Sequence, residues 1–277
     1  MPEIALPPLP LADWRETRDT LHAYSQLLGK IRRALTPPQP HWWHASLRVT
    51  PEGLTTTAMP IPGTEAVCEV VLNLRRHCVT VARGDYARDI PLSGHSLRRL
   101  RDEVLDALNK RGVQPDIDKE AFGDPTPRIY DPAAAERYLR VITVLDRLWK
   151  QFKAELPGDT SPVQIWPHHF DLSLVWFTGN KVPGVDPEDE EYADEQMAFG
   201  FSTGDEGIPD AYVYITAYPW PDALAQAQLP QPARWHLASW KGGLIFYNEL
   251  AGRPGAADRL LTIFRAAQQA FAALRNT

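Results

Sequence analysis

The feature that most restricts the fold of this chain is a pattern that occurs twice along it. Residues 14–59 and 138–177 each contain an amphipathic helix, a proline-containing loop, an aromatic–histidine cluster and then a strand. Apolar residues on both helices follow the spacing of three and four that places them on one side. The first set is Leu21, Tyr24, Leu28, Ile31 and Leu35, and the second, 121 residues later, is Ile142, Leu145, Trp149, Phe152 and Leu156. The match indicates a duplicated unit.

This duplication predicts an α+β fold made of two tandem pseudo-repeats. Each half is expected to contain a helix, an antiparallel sheet of four or five strands and a second helix. No βαβ alternation is present, so a parallel sheet is not expected. We predict the first repeat at 13–117, a linker at 118–131 and the second repeat at 132–274, with the repeats packed as one compact unit. The linker region contains prolines and acidic residues but little apolar periodicity.

Charge and cysteine content argue against several classes of protein. A net charge of −6 and a pI near 5.8 do not suit a surface that must neutralise phosphates. No segment approaches the roughly 18 consecutive apolar residues of a membrane span, and the N-terminus does not read as a signal peptide. Cys68 and Cys78 are too few for a disulfide framework and are expected to be free thiols. We therefore expect a soluble cytoplasmic protein without nucleic-acid or membrane partners.

One spacing in the second repeat is typical of a metal site. On a strand predicted over 165–176, His169 and Asp171 share one face, as in a site of two histidines and one carboxylate. His44 occupies the equivalent place in the first repeat and is the first candidate for a third ligand, with His236 the second. Such a set would hold a divalent Fe, Zn or Ni ion. About one His-x-acid triplet is expected by chance in this composition, so a structural role for His169 is the alternative.

Tryptophan rings lie beside imidazoles in both repeats. The first repeat has Trp42, Trp43 and His44, and the second has Trp166 and His168. Such a combination suits a cleft that binds an aromatic or cationic ligand. The alternative is that the rings fill the junction of helix and sheet. His168, in an apolar row of the predicted strand, would then be a hydrogen-bonded core histidine.

A glycine-rich acidic run at 195–207 offers a further candidate. Its three glycines suggest a phosphate cradle, but Asp205 and Glu206 would repel an anion and no helix begins there. A hairpin turn is the simpler interpretation. Binding of a cation or amine by the two carboxylates is the functional alternative.

Several segments resemble a family of bacterial proteins catalogued as domain of unknown function family 5996. They are His41-Trp-Trp-His44, Thr50-Pro-Glu-Gly-Leu-Thr55, Trp166-Pro-His-His-Phe-Asp171 and Phe199-Gly-Phe-Ser202. The resemblance extends over nearly the whole chain. It implies a cytoplasmic bacterial protein and brings no known activity with it.

Two hypotheses for function follow from these residues. The first is a soluble protein that binds a small molecule in a polar–aromatic cleft between the repeats, with a metal as a candidate cofactor. The second is a non-catalytic structural or protein-interaction module without a metal, in which the tryptophans belong to the core. The residues name no reaction. Exposure of the histidines and tryptophans separates the two hypotheses.

Overall fold

Four α-helices are present in the computed structural model, which describes residues 4–275. They are α1 Arg15–Leu35, α2 Leu97–Asn109, α3 Pro132–Lys153 and α4 Ala256–Ala273. The two helices predicted from apolar spacing are confirmed as α1 and α3, and the additional helices expected after each sheet are present as α2 and α4. None of the helices in the described part of the chain combines the length and apolar character that a membrane span requires.

The strands form two antiparallel sheets, which confirms the α+β class. In the described residues each sheet has six strands, where four or five were expected. The first set is β1 Arg48–Thr50, β2 Gly53–Thr55, β3 Met59–Pro60, β4 Val67–Asn73, β5 Cys78–Arg83 and β6 Tyr86–Pro91. The second set is β7 Gln164–Trp166, β8 Asp171–Lys181, β9 Asp194–Ser202, β10 Tyr212–Tyr218, β11 Arg234–His236 and β12 Gly242–Phe246.

The chain divides into two compact units. The first unit comprises residues 12–143 and 164–170, and the second comprises residues 1–11, 144–163 and 171–277. The point of division lies within α3. The domain boundaries drawn from the sequence, and the interpretation of the two halves as structural repeats, stay predictions.

The first unit is built on the sheet order β1-β2-β4-β5-β6, with β3 paired to β4. Helices α1 and α2 contact this sheet, α1 through β4 and α2 through β5 and β6. The side of α1 that carries Leu21, Tyr24 and Leu28 is fully buried. Both cysteines lie on these strands as buried free thiols, as expected.

The second unit contains five of the strands, in the order β11-β12-β10-β9-β8. Strand β7 lies in the 164–170 segment of the first unit. Aromatic side chains form the core of the second unit. Trp149 on α3 donates its indole N–H to the Phe199 carbonyl at 2.7 Å, and its ring meets Phe264 edge-on at 4.8 Å.

The continuous strand predicted over 165–176 is wrong. Strand β7 ends at Trp166, and residues 167–170 form a turn closed by a hydrogen bond of 2.8 Å from the Phe170 N–H to the Trp166 carbonyl. Pro167 has no N–H to donate to a neighbouring strand, and Phe170 has a φ of 56° in the left-handed region. The face alternation that paired His169 with Asp171 therefore does not apply, because the chain turns between β7 and Asp171.

We expect Leu28→Ala and Trp149→Ala each to lower the free energy of unfolding by about 2–5 kcal/mol. Both side chains have no exposed surface, so truncation leaves a cavity in the core. Urea melts give the measurement, and Arg147→Ala, at an exposed position of α3, serves as the control with little change. If the two variants lose no more free energy of unfolding than the control, these side chains do not contribute to core packing as expected.

Candidate anion-binding site

A pair of backbone hydrogen bonds joins two segments that are remote in sequence. The Leu47 N–H donates to the Ile165 carbonyl and the Ile165 N–H donates to the Leu47 carbonyl, each at 2.9 Å. Both side chains are fully buried. Neighbouring residues of paired extended segments point to the opposite face. The residues that share this opposite face are Ser46, Arg48, Gln164 and Trp166.

Three of these side chains form one hydrogen-bond network. Arg48 Nη1 donates to Ser46 Oγ at 2.6 Å and to Gln164 Oε1 at 3.3 Å. The Ser46 hydroxyl donates to Gln164 Oε1 at 2.8 Å. A guanidinium can only donate, so the amide oxygen of Gln164 must face Arg48 and the amide nitrogen must point elsewhere. That nitrogen is buried and has no hydrogen-bond partner in the described structure.

Helix α1 brings a second arginine to these segments. Ser25, Gly29 and Arg32 are buried on one side of α1, with spacings of four and three. A Cβ atom at Gly29 would lie 2.5 Å from Pro167 Cγ and 3.3 Å from the Ala45 carbonyl oxygen. The absence of a side chain at Gly29 therefore lets α1 approach both segments closely. Arg32 follows Gly29 by one turn on this same side.

Within residues 4–275, neither Arg32 nor Arg48 is paired with a carboxylate. Arg32 is 5% exposed, and its Nε and Nη1 atoms are buried without an acceptor anywhere in residues 4–275. Burial lowers the pKa of Arg32, and burial together with the nearby charge of Arg32 lowers the pKa of Arg48 to about 10. Both guanidiniums remain protonated at neutral pH. Burying a charge without a partner costs several kcal/mol, so this arrangement is unfavourable for the protein alone.

The unpartnered side-chain atoms of Arg32, Thr36 and Gln164 can all donate hydrogen bonds. They are Arg32 Nε and Nη1, Gln164 Nε2 and Thr36 Oγ1, each buried without a partner in the part of the chain that the structure describes. Thr36 is the C-terminal cap residue of α1, four residues after Arg32. The complement of such a set is a group that is negatively charged and rich in acceptors.

Basic side chains continue along the turn at 167–170. His22 Nε2 lies 3.1 Å from the His168 carbonyl oxygen, and the rings of His168 and His169 lie 4.3 Å apart. The pKa of His168 is lowered to about 4, chiefly by partial desolvation and then by the neighbouring His169, His22 and Lys30, in that order. His168 is exposed, so its interpretation as a core histidine is wrong. Its imidazole is neutral at pH 7.

The aromatic–histidine cluster of the first unit lies in a short 3-10 segment, Pro40–Ala45, just before β1. Trp42 is 43% exposed and stacks on His44 at 5.5 Å, with the Arg33 guanidinium 4.7 Å from its centroid. His44 is buried, and its Nδ1 accepts a hydrogen bond of 3.1 Å from the Gln39 N–H. Trp43 is half-buried. The five predicted ligand-binding residues Trp42, Trp43, His44, Trp166 and His168 thus all belong to the first unit.

Asp205 and Glu206, in contrast, belong to the second unit. Asp205 Oδ1 accepts the N–H groups of Gly207 at 2.7 Å and Ile208 at 2.8 Å, and its Oδ2 accepts the Tyr212 hydroxyl at 2.6 Å. Asp205 therefore organises the turn between β9 and β10, in agreement with the hairpin interpretation. Glu206 is exposed on the same turn.

The predicted metal ligands do not come together as a set. Asp171 is buried and accepts a hydrogen bond from the Tyr214 hydroxyl, whereas His169 is exposed in the turn. His236 Nε2 lies 3.2 Å from Ser239 Oγ. Within residues 4–275, no three His, Cys, Asp or Glu side chains are grouped so that they could hold a metal ion. The structure gives the metal hypothesis no ligand group.

A family model confirms the resemblance seen in the sequence motifs. The model described as Family of unknown function (DUF5996) matches residues 6–276. The chain belongs to this family. Searches of curated proteins and of solved structures find no match. Family membership therefore brings no reaction, ligand or partner, and the chemistry of this member must be inferred from its own side chains.

Sequence reasoning missed Arg32, Arg48, Gln164 and Thr36. Arg32 lies on a buried side of α1 with Ser25 and Gly29, but the sequence does not distinguish this arginine from the exposed ones. The role of Gln164 was not visible, since its partners Ser46 and Arg48 precede it by 118 and 116 residues.

We expect Arg32→Met to raise the free energy of unfolding of the ligand-free protein by about 1 kcal/mol or more, because it replaces an uncompensated buried charge with an apolar chain of similar length. Urea melts test this, and Arg33→Met at the adjacent exposed position is the control with a smaller change. A clear loss of stability in Arg32→Met would mean that the charge of Arg32 is satisfied within the fold.

His168 should titrate near pH 4, which NMR titration of its imidazole signals can measure. Its pKa in the unfolded chain is 6.5, so the folded state binds fewer protons between these values. The resulting contribution to stability is complete above pH 6.5 and is lost as pH falls toward 4. Urea melts should show that the free energy of unfolding of His168→Gln falls less than that of the wild type as the pH is lowered over this range. A midpoint at 6.5 would contradict the desolvation of this ring.

Proposed function

We propose that this protein binds a small molecule through an anionic group held by Arg32 and Arg48. The observation that carries the proposal is the buried Arg32 guanidinium, whose Nε and Nη1 find no acceptor in the described chain. A fold that needed these charges only for packing would be expected to pair them with carboxylates, since unpaired buried charge is costly. A ligand that brings the counter-charge removes this cost when it binds.

The surroundings support a ligand that also has an apolar or aromatic part. The half-buried Trp166 shares the face of Arg48 and Gln164, next to the network that orients Arg48. Binding sites for small molecules combine apolar surface with a few placed polar groups, as this face does. The tryptophans in the sequence suggested a ligand that is either aromatic or cationic. The two arginines in the structure favour an anionic ligand instead of a cationic one.

The second unit shows how a polar residue with a purely structural role is satisfied in this protein. Asp205 there has its carboxylate satisfied by turn N–H groups and a hydroxyl, as a structural polar residue should. Arg32 is not satisfied in this way. The difference between these two residues is the reason that we place ligand binding at the arginines rather than at the acidic turn.

The proposal is tested by ligand-induced thermal shift with benzoate, phenyl sulfate, phenyl phosphate and benzylamine as probes. An anion that binds raises the melting temperature, because it stabilises only the folded state, whereas benzylamine should leave it unchanged. Arg32→Met and Arg48→Met should lose the shift, and Arg33→Met should keep it. The proposal fails if no anion shifts the wild type, or if both site variants respond as the wild type does.

A further inference from the structure

Resting on the proposed function, we infer that the group bound by Arg32 and Arg48 is the phosphoryl group of a phosphate monoester. Two observations support a dianion with several acceptor oxygens over a carboxylate. They are the number of uncompensated charges, and the number and origin of the donors.

The first observation is the charge balance. Arg32 is buried and Arg48 half-buried, and no carboxylate of the described residues pairs with either side chain. A carboxylate carries one negative charge and would leave one of the two guanidiniums uncompensated. A phosphoryl group carries about −1.5 to −2 charges at pH 7 and balances both.

The second observation is the arrangement of donors. Arg32 Nε, Arg32 Nη1 and Thr36 Oγ1 come from α1 and its cap, and Gln164 Nε2 comes from β7. Arg48, which lies on β1, adds its own guanidinium to this set. A carboxylate has two oxygens in one plane and is matched by a single guanidinium fork. Donors from three elements are better matched by a tetrahedral group with three terminal oxygens.

Isothermal titration calorimetry at pH 8 tests the inference with two probes of the same shape. Phenyl phosphate is a dianion and phenyl sulfate a monoanion, and both present a tetrahedral group on a benzene ring. We expect phenyl phosphate to bind at least about tenfold more tightly than phenyl sulfate, and more tightly still than benzoate. Equal affinities, or tighter binding of phenyl sulfate or benzoate, would overturn the inference.

Variants connect the preference with the named residues. In Arg32→Met the ratio of phosphate to sulfate affinity should fall toward one, because a single positive charge remains, while Arg33→Met should keep the wild-type ratio. Thr36→Val removes one donor without changing size and should weaken phenyl phosphate several-fold; it provides a second test should Arg32→Met fold poorly. If Arg32→Met keeps the wild-type preference for phenyl phosphate over phenyl sulfate, and Thr36→Val binds phenyl phosphate as the wild type does, the assignment to these residues is wrong.

The binding data distinguish a wrong phosphoryl assignment from a failure of the anion-binding proposal itself. If benzoate binds as tightly as phenyl phosphate and both depend on Arg32, the site binds anions but the phosphoryl assignment is wrong. If none of the three anions binds, both proposals are wrong.

Discussion

The two hydrogen bonds between Leu47 and Ile165 are the interaction on which the proposed site depends. They fix the register of segments that lie more than a hundred residues apart, and so place Ser46 and Arg48 beside Gln164. The buried Leu47 and Ile165 side chains anchor one face of this pairing in the core. Because neighbouring residues alternate, the polar groups are forced onto the other face, close to α1.

The sequence predicts the helices well because each one is a regular amphipathic pattern whose apolar side must be buried. It predicts β7 and β8 less well, since Pro167 and the left-handed Phe170 interrupt what reads as one alternating run. Alternation of apolar and polar residues identifies strands, but it does not reveal a turn at an aromatic residue that adopts a positive φ. The predicted ligand set His169 and Asp171 depended on that run and was lost with it.

The arginines could not be assigned from the sequence for a different reason. A charged residue on an amphipathic helix is normally solvated, and 29 basic residues offer no way to select two of them. What distinguishes Arg32 is its burial on the side of α1 where Gly29 allows a close approach to Pro167 and Ala45. The Trp and His clusters, in contrast, were visible because those residue types are rare, and they point to the same unit.

The division of the chain affects how this protein is assembled during synthesis. The 164–170 segment of the first unit is followed and preceded by residues of the second unit. A ribosome therefore completes α1, β1 and both arginines long before it makes Gln164 and Trp166. Domains generally fold as units during synthesis, and the first unit lacks β7 until residues 164–170 have been made. The proposed anion site is therefore incomplete until Gln164 has been made.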